Sequence, residues 1–203
     1  MEVGPGLGAL TIFLAQEAGR VVALEVDQAL AAYLQRELFA GEPRMQVICQ
    51  NVLRFDFLGL AREAGHSLVV VGNLPYQITS PLLFKLAAEK AAISRAVLMM
   101  QQEVGARLTA TPGTKDYGIL SVLLQYHFSM TRLFSLGPAN FYPPPQVTSV
   151  SRKPLSIAME EIEAGKIESV PLPSEEELAA AAQAEADAAA AAAALVDTPD
   201  ETA

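Results

Sequence analysis

The four residues Asn73-Leu74-Pro75-Tyr76 follow the apolar run "SLVVV" (67–71) and Gly72, and they combine an amide, a rigid ring and an aromatic face. An exocyclic amino group on a nucleobase is a poor nucleophile, because its lone pair is delocalised into the ring. If the Asn73 side-chain oxygen and the Leu74 carbonyl each accept one of its hydrogens, the nitrogen is drawn towards pyramidal geometry and the pair is freed. Pro75 stiffens the backbone that aims the preceding carbonyl. Tyr76 offers a flat surface on which an extruded base can stack. A sulfonium methyl held in line then needs positioning rather than a strong base. The competing reading is a turn, with Asn and Pro as loop residues and Tyr covering the sheet end. It leaves the order of the four residues unexplained.

A second constellation opens the chain, "MEVGPGLGALTIFLA". Gly4, Gly6 and Gly8 sit between a short strand and the helical pattern Leu10, Phe13, Leu14, where glycines let backbone approach a ligand and aim helix N–H groups at it. Glu25 ends the apolar run "VVALE", roughly where nucleotide-binding α/β sheets place an acid on the ribose hydroxyls. A solvated strand end is the alternative for Glu25. Glycines and acid together indicate a nucleoside-containing ligand without separating a dinucleotide from S-adenosylmethionine. Asn51, in "QNVLRFD", could accept from an adenine amino group, or equally serve a local turn. Asp56 reads as structural.

The elements that must position these residues alternate. "RVVALEV" (20–26), "MQVIC" (45–49), "SLVVV" (67–71) and "AVLMM" (96–100) read as strands buried on both faces, and "YHFSMTRLF" (126–134) as a late strand. Residues 27–40, 80–90, 101–110 and 118–125 read as helices, with Ser80 as the N-cap of the second and Pro81 in its first turn. This alternation predicts an α/β fold, a mostly parallel sheet covered by helices on both faces.

Charge divides the chain. Residues 1–150 hold 11 basic and 11 acidic residues, whereas 151–203 hold 3 and 12 and so carry the whole net charge of −9. The expected organisation is a catalytic domain over 1–150 and an acidic, Ala-rich, low-complexity tail over 151–203, partly helical or disordered. Ser174 and Glu177 have capping-box spacing within that tail. The single Cys49 excludes an internal disulfide framework and a Cys-rich zinc site, fits a reducing, cytoplasmic setting, and reads as an inert buried thiol. Neither His66 nor His127 joins a metal-ligand set, and both read as surface or sheet-edge residues. No membrane span or signal peptide is expected.

The chain resembles the rRNA small-subunit adenine dimethyltransferases. The resemblance rests on "EVGPGLGALT", "VVALEVD", "VVVGNLPYQITSPLLFKL", "MMQQEVGARLTATPGTKDYGILSVLLQYHF" and "FYPPPQVTSV", in family order over residues 1–150. It implies a Rossmann-like S-adenosylmethionine-dependent methyltransferase that dimethylates N6 of two adjacent adenosines near the 3′ end of small-subunit rRNA. By it, Glu2, Gly4, Gly6, Glu25, Asn51 and Asn73 serve the cofactor, Asn73 to Tyr76 the target base, and Phe141 packs on that base. The implied partner is small-subunit rRNA in a pre-30S-type particle, met by a monomer without metal. There are departures from the family pattern. The chain is expected to begin inside the first strand, without the preceding Gln-Asn-Phe/Leu segment that closes over the cofactor. Asn51 replaces a usual Asp, and Gln102 and Gln146 stand where Lys is frequent. The C-terminal helical RNA-gripping domain is not recognisable. The rival readings are a non-catalytic rRNA-binding remnant, a large-subunit rRNA adenine methylase, and an NAD-dependent oxidoreductase that would leave "NLPY" and Phe141 unexplained.

Overall fold

Runs of Val, Ile, Leu and Met without interior Gly or Pro favour extended backbone buried in a sheet. The structure, a computed structural model, describes residues 1–136 and 154–161. The strands are β1 (Glu2–Val3), β2 (Val21–Glu25), β3 (Met45–Cys49), β4 (Leu68–Asn73), β5 (Ile93–Gln101), β6 (Phe128–Ser135) and β7 (Pro154–Glu161). They form one sheet in the order β3-β2-β1-β4-β5-β7-β6. From β3 to β5 every pairing is parallel, and β7 runs antiparallel between β5 and β6. The sheet thus takes in eight residues beyond position 150, from the segment that composition assigned to the tail. Phe141 and the alanine tract lie outside the described residues.

Burial on both faces holds for β2, whose five residues are all buried, and it fails for β3 and β4. β3 is the sheet edge. In β4, Leu68, Val70 and Gly72 turn to the core while Val69 is 47% exposed. Val69 lies two residues before Val71, the partner of Glu2 in β1, and its carbonyl accepts from the Met1 nitrogen at 2.6 Å. A cavity of about 510 Å³ opens there, at the amino ends of β2 and β4. None of the predicted site residues lines it.

The helices are α1 (Thr11–Glu17), α2 (Gln28–Tyr33, continued as a wider turn over Leu34–Leu38), α3 (Phe57–Ala64), α4 (Thr79–Ala88), α5 (Gln102–Leu108) and α6 (Ile119–His127). Asp27 starts α2, its Oδ1 accepting from the N–H groups of Ala29 (2.8 Å) and Leu30 (3.0 Å). Asp56 likewise starts α3 through the N–H of Gly59, and Gly65 ends it at φ 74°. Ser80 is not the N-cap of α4 but lies inside it. The helix begins one residue earlier, where the Thr79 hydroxyl donates to the Pro75 carbonyl at 3.0 Å. In α1 the apolar pattern Leu10, Phe13, Leu14 does not mark the buried face. Thr11 and Ala15 are buried, and Phe13 is exposed. The main core lies between β4, β5 and the helices α4 and α6, around Val70, Leu82, Leu86, Leu98, Leu124 and Phe128.

Gly8 ties the glycine loop to α2. It adopts φ +85°, and a Cβ there would stand 2.4 Å from Leu38 Cδ2 and 3.1 Å from Leu34 Cδ2. Gly8→Ala combines a left-handed backbone with overpacking, and should lower unfolding stability by about 1–3 kcal/mol. Denaturant titration of wild type and variant measures that loss.

Candidate active site

Chain order reverses between β1 and β4. From β1 the sheet grows through β2 to β3 on one side, and from β4 to β5 on the other. A crevice at such a point lies outside the carboxyl ends of the strands, which is where open α/β sheets hold ligands. Register sets the row along its floor. Val3 pairs with Leu24 and Gly72, so Gly4 follows level with Glu25 on one side and Asn73 on the other. Glu25 in turn pairs with Cys49, and Asn73 with Met99. The step from β2 to β4 across β1 is two strand spacings, about 10 Å. The predicted nucleoside acid and the predicted target-base amide therefore share one rim.

Glu25 is only 6% exposed, and its carboxylate organises the loop around it. Oε2 accepts from the N–H of Gly6 at 3.1 Å, while Oε1 accepts from Val26 at 2.8 Å and Asp27 at 3.0 Å. A solvated strand end would show none of this. Gly4 and Gly6 have φ of +66° and +56°, and a Cβ on either would meet nothing within 4 Å. Backbone conformation requires glycine at both, and the space beside them is open to a ligand.

Glu2 is 2% exposed, and its Oε2 closes no hydrogen bond. Thr11 Oγ1, at the start of α1, is likewise buried, and the Glu2 carboxyl is the polar group it faces. Burial pushes the Glu2 carboxyl above the ordinary carboxylate range. The Thr11 hydroxyl and the Met1 ammonium offset part of this, and the Glu25 charge adds to it.

Asn51 sits after β3 with its side-chain oxygen accepting from the N–H of Leu53 at 2.9 Å, so it starts a tight turn over Val52–Arg54. That is the local role weighed as its alternative. At the end of β4, Asn73, Pro75 and Tyr76 are exposed, with Tyr76 at 45%. No hydrogen bond within the described residues takes up the Asn73 amide. Leu74 is anchored, its side chain 3% exposed in the core and its N–H bonded to the Met99 carbonyl at 3.0 Å. Pro75 adopts φ −59°, ψ 144°, and its carbonyl receives the Ile78 N–H and the Thr79 hydroxyl. The turn is rigid, and it presents an amide and a ring to solvent. Phe141 lies outside the described residues.

Three residues at this rim escaped the sequence reading. Cys49 is exposed, not buried, because its register beside Glu25 carries it to the edge of the crevice. Val26 is 68% exposed directly after Glu25, and Leu7 is 72% exposed within the glycine loop. Two bare apolar side chains flanking a nucleoside acid suit the faces of a ring. Their signal was position alone, since composition does not separate them from core residues. His127 is also not a plain surface residue. Its Nδ1 is buried without a partner, its ring lies 5.0 Å from that of Tyr126, and burial lowers its pKa, with Lys90 adding to the effect. It stands at the end of α6, away from the row of strand ends.

This site fits a nucleoside-bearing cofactor. There is an acid on the second strand, a cradle free of Cβ atoms, and an orphaned buried carboxyl oxygen under the glycine loop. Among the described residues, no cluster of His, Cys, Asp and Glu could hold a metal ion. No helix there is long and apolar enough to cross a membrane.

Residues 1–153 match the family model described as ribosomal RNA adenine dimethylase. Over 149 residues the chain is 50% identical to ribosomal RNA small subunit methyltransferase A of Acidobacterium capsulatum, covering 73% of this chain and 52% of that protein. It is 47% identical over 150 residues to the protein of that name from Geobacter metallireducens, covering 73% and 54%. It spans about half the length of these relatives. Among solved structures, a dimethyladenosine transferase from Plasmodium falciparum superposes with a TM-score of 0.65 at 27% identity, covering 80% of this chain and 55% of that one. The 23S rRNA methyltransferase ErmE also superposes with a TM-score of 0.65, at 25% identity, covering 93% and 67%.

Proposed function

The chain belongs to the ribosomal RNA adenine dimethylase family, and from that membership we propose that it transfers methyl groups from S-adenosylmethionine to N6 of two adjacent adenosines near the 3′ end of small-subunit rRNA. The observation that carries this reading is the placement of Asn73 and Tyr76, exposed and with side chains that bond no described residue, on the same rim as Glu25 and the glycine loop. A cytoplasmic setting and a pre-30S-type particle as partner belong to the same proposal. So does the division into a catalytic unit over 1–150 and an acidic appendage over 151–203, with β7 completing the sheet of the former.

The chemistry supplied by the bound cofactor is an electrophilic methyl carbon on a sulfonium. Glu25 would take the ribose hydroxyls through the acceptor capacity left on Oε2, which holds one N–H where Oε1 holds two. Gly4 and Gly6 admit the methionine end. Asn73 Oδ1 and the Leu74 carbonyl accept the two N6 hydrogens of an extruded adenine, while Tyr76 stacks on its face. The N6 lone pair freed by these two acceptors would be aimed at that methyl carbon, and the electron pair of the methyl–sulfur bond would be left to the sulfur. One N6 proton then leaves to solvent. Two rounds give the dimethylated base. Asn51 joins the adenine pocket only as far as its local turn allows, since its oxygen already accepts from Leu53.

Tyr76 tests the stacking role. Removing a base–aromatic stack costs about 1–3 kcal/mol. Tyr76→Ala should therefore raise the KM for RNA by about tenfold or more, and Tyr76→Phe should stay near wild type. Steady-state methyl transfer with both variants measures this. Equal loss in both would assign the role to the hydroxyl instead.

A further inference from the structure

The Glu2 carboxyl is enclosed at the start of β1, level with Ala23 and Val71, 2% exposed, with no geometric hydrogen-bond partner on Oε2 among the described residues. Its neighbour Glu25 differs, having three backbone N–H groups around its carboxylate. The groups that face Glu2 are few. Its own strand brings the Met1 ammonium, whose nitrogen donates to the Val69 carbonyl at 2.6 Å, and β2 brings Glu25. Thr11, from α1, turns its buried hydroxyl to the carboxyl and offsets part of the effect of burial, and β4 offers Val71 and Gly72, neither of them titratable. A buried carboxyl beside a second carboxylate, with no donor on one oxygen, favours its protonated form. Such a group answers to positive charge brought near it.

We propose that Glu2 is the proton-linked counter-charge of the cofactor's methionine end: neutral in the free protein, it loses its proton to solvent when the cationic cofactor enters the crevice. This deepens the cofactor assignment made above and rests on it. The O–H bond of Glu2 breaks, the electron pair remains on the carboxylate, and buffer takes the proton. The ligand's positive charge, in a site poor in water, then offsets the desolvation of that anion. Two opposite pH dependences follow. Cofactor affinity rises with pH, by up to about tenfold per pH unit over the range in which free Glu2 is protonated and bound Glu2 is not. Stability of the free protein falls as pH rises through the raised Glu2 pKa, because the native state there holds more protons than the unfolded chain.

Titration calorimetry of S-adenosylmethionine into the protein, in two buffers of different ionisation enthalpy, counts the protons exchanged. Wild type is expected to release protons, towards one per cofactor where free Glu2 is fully protonated. Glu2→Gln, which keeps the shape and fixes the neutral form, should bind with buffer-independent heat and a flat pH profile. The Tm of wild type should also fall relative to Glu2→Gln as pH rises. If that variant fails to fold, the proton count and pH slope of the wild type decide alone. Wild-type binding with no proton release overturns the proposal and leaves the methyltransferase reading standing. Release that persists in folded Glu2→Gln overturns it equally. A folded wild type that does not bind the cofactor overturns both.

Discussion

Replacing Asn73 by Ala is expected to lower the rate of methyl transfer by about a hundredfold or more, the cost of deleting one positioned hydrogen-bonding group that acts on developing charge, ~3 kcal/mol. The loss should fall mainly on kcat. Asn73 Oδ1 is the side-chain carbonyl acceptor of the four-residue turn, and it is exposed. Leu74 is held by the core and by its bond to Met99, and Pro75 has its carbonyl occupied. With Asn73 gone, the N6 lone pair stays in the ring and one hydrogen keeps its water. Because the Asn73 side chain is exposed and bonds no described residue, the variant should keep its Tm. Asn73→Asp retains an acceptor and should recover part of the rate. Single-turnover methylation with both variants separates this account from simple unfolding.

Glu25→Ala should be the more damaging change to cofactor binding. The side chain gathers the N–H groups of Gly6, Val26 and Asp27, and hydrogen bonds to a charged acceptor contribute about 1.5–3 kcal/mol each. Its loss frees the glycine loop and removes the acceptors for the ribose hydroxyls together. An affinity loss of about a hundredfold or more, ~3 kcal/mol, is expected, with a lowered Tm because buried amides lose their partner. Calorimetric titration and thermal melts measure the two effects. An unchanged affinity in a folded variant would remove Glu25 from the cofactor site.

Some elements could be read directly. β3 spans Met45–Cys49 as its apolar run predicted, and β2 departs from its prediction only at the ends. Strand residues of this type are favoured by local preference and by the sheet alike. The positions at the strand ends were legible for the same reason, since alternating strands and helices leave the carboxyl ends together. Other features depend on contacts that no local stretch records. α3 passed unread because Gly59 interrupts a short pattern, although Asp56 and Gly65 marked both its ends. β7 is a strand because it pairs with β5 and β6 on either side, with nothing in its composition announcing it. The thiol of Cys49 was misplaced because an apolar run implied burial, whereas an edge strand exposes its end. The three amides on Glu25 and the isolation of Glu2 appear only once β1 and β2 are paired.

The central claim is that this crevice methylates adenine N6 in small-subunit rRNA. Incubating the protein with radiolabelled S-adenosylmethionine and unmethylated small ribosomal subunits, then digesting the RNA and identifying the labelled nucleosides by mass spectrometry, tests it most directly. The account predicts N6,N6-dimethyladenosine at two adjacent positions near the 3′ end of the small-subunit rRNA, and its loss with Asn73→Ala. Label appearing only in large-subunit rRNA when both subunits are offered, or cofactor binding without any methylated adenosine, would contradict it.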